Sequence, residues 1–295
     1  GLDAFKTAGD AEKSIAIGSS SLTAATSGDN NTAVGYETLK ANTTATQNNA
    51  FGYQALKANT TGTQNQAFGA EAMWSNTTGS WNVGIGNGAL WANVSGNYNT
   101  GVGRSALYNN TGSNNTSLGY HALKANTTGN RNTAVGTESQ DAITTAEYNT
   151  SLGYRSLTAE TTSGYNTALG THALQTQNGG AGNTAAGYSA GHQITTGDQN
   201  VLVGQAAGNG LTTGSNNICL GYYATPSSAT VSNEVTVGDT NITKFRIPGL
   251  NFSIKDSTAT DNYVLTVDAN GDAGWEAVSA GPGTGESYVR LENSS

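Results

Sequence analysis

The chain repeats one pattern of apolar and polar positions, in which an apolar residue is followed by glycine at a nearly constant spacing. Fourteen such glycines are 17 residues apart, except for one step of 16 between Gly103 and Gly119. They are Gly18, Gly35, Gly52, Gly69, Gly86, Gly103, Gly119, Gly136, Gly153, Gly170, Gly187, Gly204, Gly221 and Gly238. Repetition at a fixed short period predicts a solenoid, in which each coil buries apolar side chains only against its neighbours.

Two rows of apolar residues run through the repeats. Positions in a coil are numbered from its glycine, which is position 0. Position −1 is apolar in every coil, and position +4 is Leu or Met in nine coils. Three coils lack an apolar residue at +4 and have an aliphatic residue at +7 instead, the pairs being Gln140 with Ile143, Gly191 with Ile194, and Gly208 with Leu211. These rows predict the core, with position −1 always inside. The small residue at −2 is predicted to face a close neighbour, and the glycine to adopt a positive φ.

Asparagine forms the most regular polar row. It stands at −4 in 12 of 14 coils. When coils stack at the strand spacing of about 4.8 Å, identical amides can hydrogen-bond along the axis as a ladder. The predicted ladder comprises Asn31, Asn48, Asn65, Asn82, Asn99, Asn115, Asn132, Asn149, Asn166, Asn183, Asn200 and Asn217. The other recurrent asparagines, in Asn-x-Thr triplets at Asn42, Asn59, Asn76 and Asn126, match the glycosylation sequon, and we interpret them as polar turn residues.

These patterns predict an all-β fold, a parallel β-solenoid (β-roll) of 17-residue coils followed by a small β segment. Two apolar rows per coil favour a flattened, two-sided roll, and no helical period is present. Thirteen steps of about 4.8 Å give a rod about 60 Å long. Because so thin a coil has little core of its own, lateral association of parallel chains is expected.

The repeat pattern also predicts the domain boundaries. Residues 1–13 are predicted to be an N-terminal linker, 14–238 the solenoid, and 239–278 a small β-rich segment. That segment contains a predicted hairpin with Asp268–Gly271 at its turn. Residues 279–295 are predicted to be a Gly/Ser-rich linker and the start of a further region, so the chain is expected to be a fragment of a longer protein.

Composition and charge exclude several classes of protein. Only 35% of residues are hydrophobic and 11% charged, yet 13 Tyr and 4 Trp recur in register, which favours an ordered, thin-cored fold over disorder. A net charge of −8 argues against a nucleic-acid partner. No apolar run is long enough to insert into a membrane. The single cysteine, Cys219, stands at a small-residue position and is predicted to be buried.

No catalytic constellation is evident, and neither an enzymatic activity, a metal nor a cofactor is expected. His121, His172 and His192 lack the spacing of zinc ligands. The stretch from Asp268 to Gly274 faintly resembles a calcium loop but lacks its downstream Glu, so a plain turn is expected. The densest acidic group is predicted to be a solvated rim, and its members are Glu138, Asp141, Glu147 and Glu160.

The candidate binding residues are aromatic. Trp74, Trp91 and Tyr108 share position +5, which elsewhere holds Lys, Asp or Gln and is therefore predicted to be exposed. Trp81 and Tyr98, at −5, extend the candidate surface. Contiguous exposed aromatic residues mark contact surfaces. Two interpretations remain open, namely packing against a neighbouring chain and contact with a glycan or receptor.

The repeat string closely resembles repeats of bacteriophage tail-fibre and appendage proteins. It reads NTAVGYETLKANTTATQN from Asn31 and NTSLGYHALKANTTGNRN from Asn115, and the resemblance covers about residues 14–238. SIAIG, from Ser14 to Gly18, is similar to the head repeats of trimeric autotransporter adhesins. These families imply a homotrimeric β-roll fibre that binds a host surface. In many such fibres a C-terminal chaperone domain follows, and here it would lie beyond Ser295.

The resemblance also implies partners and location. The expected partners are two further copies of the chain, a host cell-surface glycan or protein, and other virion tail proteins. The expected location is the extracellular virion tail, with a bacterial surface adhesin as the alternative. An ice-binding solenoid is a more remote alternative, because the Thr row at −3 is interrupted by other residues. A depolymerase is disfavoured because no paired carboxylates are evident.

Overall fold

The computed structural model describes residues 2–5, 13–244, 263–267 and 273–277. The chain divides into two compact units, residues 1–243 and 244–295. Within the described residues of the first unit every regular element is a three-residue β-strand, and no helix occurs.

Each coil contributes one strand to a single 14-stranded parallel sheet. The strand order follows the chain from β1 to β14, and residues pair with those one repeat later, as Thr133 does with Thr150. The strands are β1 Ile15–Ile17, β2 Thr32–Val34, β3 Asn49–Phe51, β4 Gln66–Phe68, β5 Val83–Ile85, β6 Thr100–Val102, β7 Thr116–Leu118, β8 Thr133–Val135, β9 Thr150–Leu152, β10 Thr167–Leu169, β11 Thr184–Ala186, β12 Val201–Val203, β13 Ile218–Leu220 and β14 Val235–Val237. The predicted parallel β-solenoid is therefore confirmed.

The rest of each coil consists of turns, so the predicted two-sided roll has a sheet on one side only. Residues at −5, +2 and +4 adopt left-handed backbone conformations, for example Arg131, Glu138 and Gln140 with φ of 57°, 54° and 51°. Such conformations cost an ordinary residue about 1–2 kcal/mol. Hydrogen bonds between coils oppose that cost, because these N–H groups donate to carbonyls of adjacent coils, as Leu39 does to Ala55 at 3.1 Å.

The core differs from the prediction. Residues at −1 do not form it; they point outward, and Leu152, for example, is 53% exposed. The small residues at −2, such as Ala134 and Ala168, are fully buried and pack with the Leu row at +4. The reason is strand alternation: in a three-residue strand the first and third side chains share one face and the second takes the other.

The interior is so narrow that the loss of an apolar side chain at +4 is compensated by an aliphatic side chain at another position of the same coil. Ile143, Ile194 and Leu211 are fully buried, which confirms the predicted compensation for the missing apolar residues at +4. The sequence did not reveal a second compensation, by Leu202 at −2. A Cβ on Gly208 would lie 2.7 Å from Leu202 Cδ2, so the leucine occupies the space that +4 side chains fill in other coils.

The predicted asparagine ladder is confirmed as a stack, and its bonding is mostly to backbone. All 12 side chains are fully buried. In the typical case of Asn132, Oδ1 accepts from the Asn149 N–H at 3.0 Å, and Nδ2 donates to the Ala146 carbonyl at 2.7 Å. Each side-chain amide thus pairs with backbone N–H and C=O groups that the turns would otherwise leave without a partner in the interior. Ser14 begins the row by accepting from Asn31 N–H, and Glu234 ends it by donating its own N–H to Asn217.

A second asparagine ladder stands at +7, where the sequence predicted polar turn residues. Asn42, Asn59, Asn76, Asn93, Asn110 and Asn126 are fully buried. Here the side chains bond directly to one another, as Asn76 Nδ2 does to Asn59 Oδ1 at 2.8 Å. Both ladders meet at one backbone carbonyl, since Asn48 and Asn59 each donate to Gly62 at 2.9 Å. Burial also leaves Asn42, Asn59, Asn76 and Asn126 inaccessible to glycosylation in the folded chain.

The repeat glycines adopt the predicted positive φ throughout, with values such as 131° at Gly136. They are also sites of close contact between coils. A Cβ on Gly136 would lie 2.7 Å from the carbonyl carbon of Gly153 and still closer to its oxygen. Glycine is therefore required by backbone angle and by space together.

Residues outside the 14 coils add two further elements. Residues 2–5 lie in the predicted linker, and their backbone repeats the coil pattern: Phe5, 17 residues before Leu22, has a φ of 56° and packs against the core. In the second unit, β15 Tyr263–Val267 and β16 Ala273–Ala277 form the predicted antiparallel hairpin. Most of its turn and of the calcium-like stretch, residues 268–272, lies outside the described residues.

We expect Gly136→Ala to destabilise the fold by about 3 kcal/mol or more, since strain at this φ costs about 1–3 kcal/mol and the steric clash adds to it. The matched control is Gly210→Ala, at φ 84° with no atom within 4 Å of the added Cβ. The control should lose only about 1 kcal/mol. Urea unfolding midpoints measure both, and equal losses would contradict the close-contact argument.

We expect Asn132→Asp to be strongly destabilising at neutral pH, because it places a buried carboxylate oxygen against the Ala146 carbonyl. Burial raises the folded-state pKa of the introduced carboxyl above its unfolded value. The deficit should therefore be smallest below the unfolded pKa and should grow as pH rises. Unfolding midpoints against pH test this, with the exposed Asn109→Asp as control. A deficit independent of pH would contradict the ladder geometry.

Candidate binding surfaces

The predicted aromatic strip at +5 is a continuous ring stack. Trp74 and Trp91 lie 5.2 Å apart with planes at 3°, and Trp91 and Tyr108 lie 5.3 Å apart at 8°. All three side chains are half-buried, less exposed than the sequence predicted. Because the rings cover one another, Trp91 presents its edge to solvent and neither face. The three residues lie together, as the sequence predicted. Because they are stacked, ring faces are open only at the two ends of the strip.

A charged network covers the Trp74 end of that strip. The Lys57 ammonium lies 5.7 Å from the Trp74 ring centroid, and the indole N–H donates to Gln54 at 3.2 Å. Glu37 binds Lys57 at 2.8 Å and Lys40 at 2.6 Å. Hydrogen bonds from Lys40 and Lys57 lower the pKa of Glu37 to about 2. This end of the strip is therefore occupied by the chain's own side chains.

The row at −5 carries shorter stacks that are more exposed. Trp81 and Tyr98 stack at 5.0 Å, and both are about half exposed. Tyr148 and Tyr165 stack at 5.1 Å. Arg131 lies over the other face of this pair, 5.1 Å from the Tyr148 ring, and donates to its hydroxyl at 2.8 Å. Aromatic edges and terminal faces in this row are accessible to a ligand.

The residues at −1 form an outer apolar row along the whole sheet. The most exposed large members are Ile17, Phe51, Phe68, Ile85, Leu118, Leu152, Leu169, Val203, Leu220 and Val237. Phe51 and Phe68 stack at 4.9 Å. Exposed tyrosines at +1, including Tyr36, Tyr120 and Tyr154, lie beside the row. A monomeric protein rarely exposes a contiguous apolar surface on this scale.

At both ends of the sheet the outward face becomes apolar at −3 as well. At one end, Ile15 holds position −3 on β1, beside Thr32 on β2. At the other end, Val201, Ile218 and Val235 hold this position on the successive strands β12, β13 and β14. All four of these aliphatic side chains are exposed. The apolar surface is therefore widest over β12–β14.

The acidic residues do not form the predicted solvated rim, because Glu160 is fully buried. One of its oxygens accepts from the N–H groups of Thr161, Thr162 and Ser163 at 2.6–2.9 Å. The other accepts from the Gly179 N–H at 3.2 Å. Glu160 stands at +7, in the second asparagine row, so its position in the repeat explains its burial. A carboxylate with this many donors has a structural role.

The other three acids of that group are half-buried. Glu138 pairs with Arg155 at 2.6 Å. Burial, and secondarily the charge of Glu138, raise the pKa of Asp141. No opposed pair of free carboxylates results.

The three histidines and the cysteine pack against neighbouring side chains and backbone. His121 stacks on Tyr120 at 3.7 Å, and its pKa is lowered by burial and by Lys124 and Arg104. His172 lies edge-on to Tyr154, and His192 Nδ1 is 3.1 Å from the Ser189 carbonyl. Cys219 is fully buried, as predicted, and burial raises its pKa.

Within the described residues, no group of three or more His, Cys, Asp or Glu side chains could hold a metal ion. The same part of the chain contains no helix with the length and apolar character needed to cross a membrane.

Comparisons with protein-family models, with curated proteins and with solved structures find no match to this chain.

Proposed function

We propose that this chain is one protomer of a homotrimeric, non-enzymatic fibre that attaches to a host surface, as in phage tails. The observation that carries the proposal is the outer apolar row. It runs from β1 to β14 on the outward face of the sheet, where a lone chain leaves it in water. Parallel copies in register would cover the row along its whole length. The trimeric number follows from the resemblance of the repeats to fibre proteins.

The regularity of the row supports a parallel, in-register assembly. Because each coil repeats the same outward positions at the strand spacing, two parallel copies can make the same contact at every step. Aliphatic and aromatic side chains, which predominate in the row, are typical of permanent interfaces. The polar Thr positions at −3 over β6–β11 mark one border of the interface on this proposal.

The aromatic positions support a binding role for the surface outside that interface. The stack of Trp74, Trp91 and Tyr108 presents ring edges, and Trp81 and Tyr98 are exposed on the opposite flank of the strand. Host glycan or protein would bind there, and other tail proteins would bind the ends of the rod. The extracellular virion tail is the proposed location, and a bacterial surface adhesin head of the same build is the alternative.

A second candidate function uses the same face. Six successive strands, β6–β11, begin with Thr at −3 in register, namely Thr100, Thr116, Thr133, Thr150, Thr167 and Thr184. Flat threonine arrays can order water, so an ice-binding solenoid is consistent with this stretch. The two proposals compete for this face, because the Thr row lies on the same face as the outer apolar row and borders the proposed interface. Thermal hysteresis by a monomeric chain would favour the second candidate.

We expect the intact chain to have a solution mass three times the protomer mass of 29.9 kDa. The double variant Leu118→Lys, Leu152→Lys should shift the mass to one protomer at micromolar concentration, because burying unpaired ammonium groups opposes association. Light scattering or native mass spectrometry measures the mass.

The matched control changes exposed residues of the same two coils, Thr128→Lys and Thr162→Lys, and should keep the trimer. A monomeric parent chain, or dissociation by the control alone, would overturn the proposed interface. Adsorption of the labelled trimer to candidate host cells then tests attachment.

A further inference from the structure

The stack at −5 has one missing side chain, and the gap lies beside the most exposed tyrosine of the repeats. Tyr148 and Tyr165 stack at 5.1 Å, and the next residue in the row is Gly182, followed by Gln199. Tyr165 is 68% exposed, because one of its faces has no neighbour in the following coil. The gap is a notch of about 510 Å³ lined by Tyr165, Ala181, Gly182, Asp198, Gln199 and Ser215.

The backbone at the gap is unchanged, so only the side chain is missing. Gly182 has a φ of 70°, close to 63° at Tyr165 and 56° at Gln199. A Cβ on Gly182 would meet only Gln199, with Cγ at 3.5 Å, which is ordinary van der Waals contact. The glycine is therefore not required by strain or crowding, in contrast to the repeat glycines. Its effect is to keep the notch open.

The spacing of the coils fixes what thickness of ligand fits. Tyr165 and Gln199 are two coils apart, or about 10 Å at the strand spacing. Stacked rings of adjacent coils in this solenoid lie 4.9–5.6 Å apart. One six-membered ring inserted over Gly182 would thus lie one stacking distance from the Tyr165 face. Its other side would face the Gln199 side chain, whose Cγ is 3.5 Å from the Cβ position of Gly182.

The polar groups around the notch favour a ring that carries hydroxyls. One Asp198 oxygen accepts from the Ala181 N–H at 2.7 Å, and the other has no partner among the described residues. The Gln199 side-chain amide likewise makes no hydrogen bond within the described part of the chain, whereas its backbone N–H donates to the Ala181 carbonyl at 2.9 Å. A carboxylate oxygen and an amide together can accept from and donate to vicinal hydroxyls. Asp198 is the only ionisable group of the lining besides the tyrosine, so an anionic sugar is disfavoured.

We propose that this notch, the Gly182 notch, binds one neutral pyranose ring, which stacks on Tyr165 and donates hydroxyl hydrogen bonds to Asp198. Aromatic platforms with a few convergent polar groups are typical of small-ligand sites. This proposal extends the proposed function. It rests on that function only for the source of the sugar, which would be a host surface glycan. Thr167 and Thr184, at −3, lie between the Tyr165 end of the notch and the outer apolar row, whereas Val201 holds that position beside Gln199.

The test titrates the intact chain with the methyl glycosides of glucose, galactose, N-acetylglucosamine and N-acetylgalactosamine, followed by saturation-transfer NMR. Glucuronate and p-cresol serve as the anionic and the aromatic probe. At least one neutral glycoside should bind with a Kd on the order of 1 mM, as expected for a single open subsite. Gly182→Tyr should weaken binding at least tenfold by filling the gap, and Tyr165→Ser should do the same by removing the platform.

The controls separate filling of the notch from general effects. Gly182→Ala restricts the backbone in the same way and leaves the notch open, so it should bind within about twofold of the parent chain. Tyr223→Ser removes an exposed ring from another left-handed position, outside the proposed binding surfaces, and should not change binding. Gly182→Tyr should keep the parent circular dichroism spectrum and solution mass, since it extends an existing stack. If it does not fold, Tyr165→Ser against Tyr223→Ser decides the question.

Binding of no neutral glycoside, equal loss in Tyr165→Ser and Tyr223→Ser, or stronger binding of glucuronate would overturn the proposal. Gly182-dependent binding of p-cresol without sugar binding would also overturn it and assign the notch to an aromatic side chain of a protein partner. The solution mass keeps the two proposals distinct. A trimer without sugar binding removes the notch and leaves the fibre, whereas a monomer that binds sugar removes the fibre and leaves the notch.

Discussion

The whole fold depends on direct stacking of coils at the spacing of one β-strand. At that spacing backbone meets backbone, as at Gly136 and Gly153, and the enclosed space is one side-chain layer thick. In most coils the space inside holds a small residue at −2 and a leucine at +4. Because the turns leave some buried backbone groups without a backbone partner, the two asparagine rows supply partners for them. Each of these features recurs because every coil must match the next.

The same constraint determines the surface. Each strand has one inward and two outward positions, and only a small residue fits at the inward one in most coils. The larger apolar residue of the strand therefore lies outside, where successive coils form a continuous row. That row is the basis for the proposed association of chains. Regular stacking also extends aromatic side chains into ladders, in which one glycine leaves an opening the thickness of a single ring. The proposed assembly and the proposed ligand site thus both follow from the repeat.

Much of this could be predicted from the sequence. The constant spacing of glycines identified the parallel solenoid, the positive φ of those glycines and the stacked row from Asn31 to Asn217. The assignment of position −1 to the core was wrong, since it assumed that an invariantly apolar position is a buried one. Apolar atoms cover much of any protein surface, so that inference holds in one direction only. The small residue at −2 was the better indicator, because it shows how little room the interior has.

Other features were in the sequence without being recognised. Asn93, Asn110, Glu160 and Gln177 share position +7 with Asn76, so aligning the coils at that position indicates a second buried polar row, Glu160 included. The Gly182 notch needed the structure. In the sequence, the notch appears only as a glycine at position −5, where other coils have residues of many types. The stack of Tyr148 on Tyr165 shows that a side chain at Gly182 would have covered the open face of Tyr165.

The central claim, that the outer apolar row lies between parallel copies in register, is tested most directly by site-specific cross-linking. Ile85→Cys places a thiol on that row away from the middle of the sheet, and the native Cys219 is buried. Under mild oxidation we expect Ile85→Cys chains to form disulfide-linked dimers, and Asn109→Cys, on an exposed turn of the neighbouring coil, to form none. Equal cross-linking of both variants, or none at residue 85 in a trimeric sample, would contradict the account.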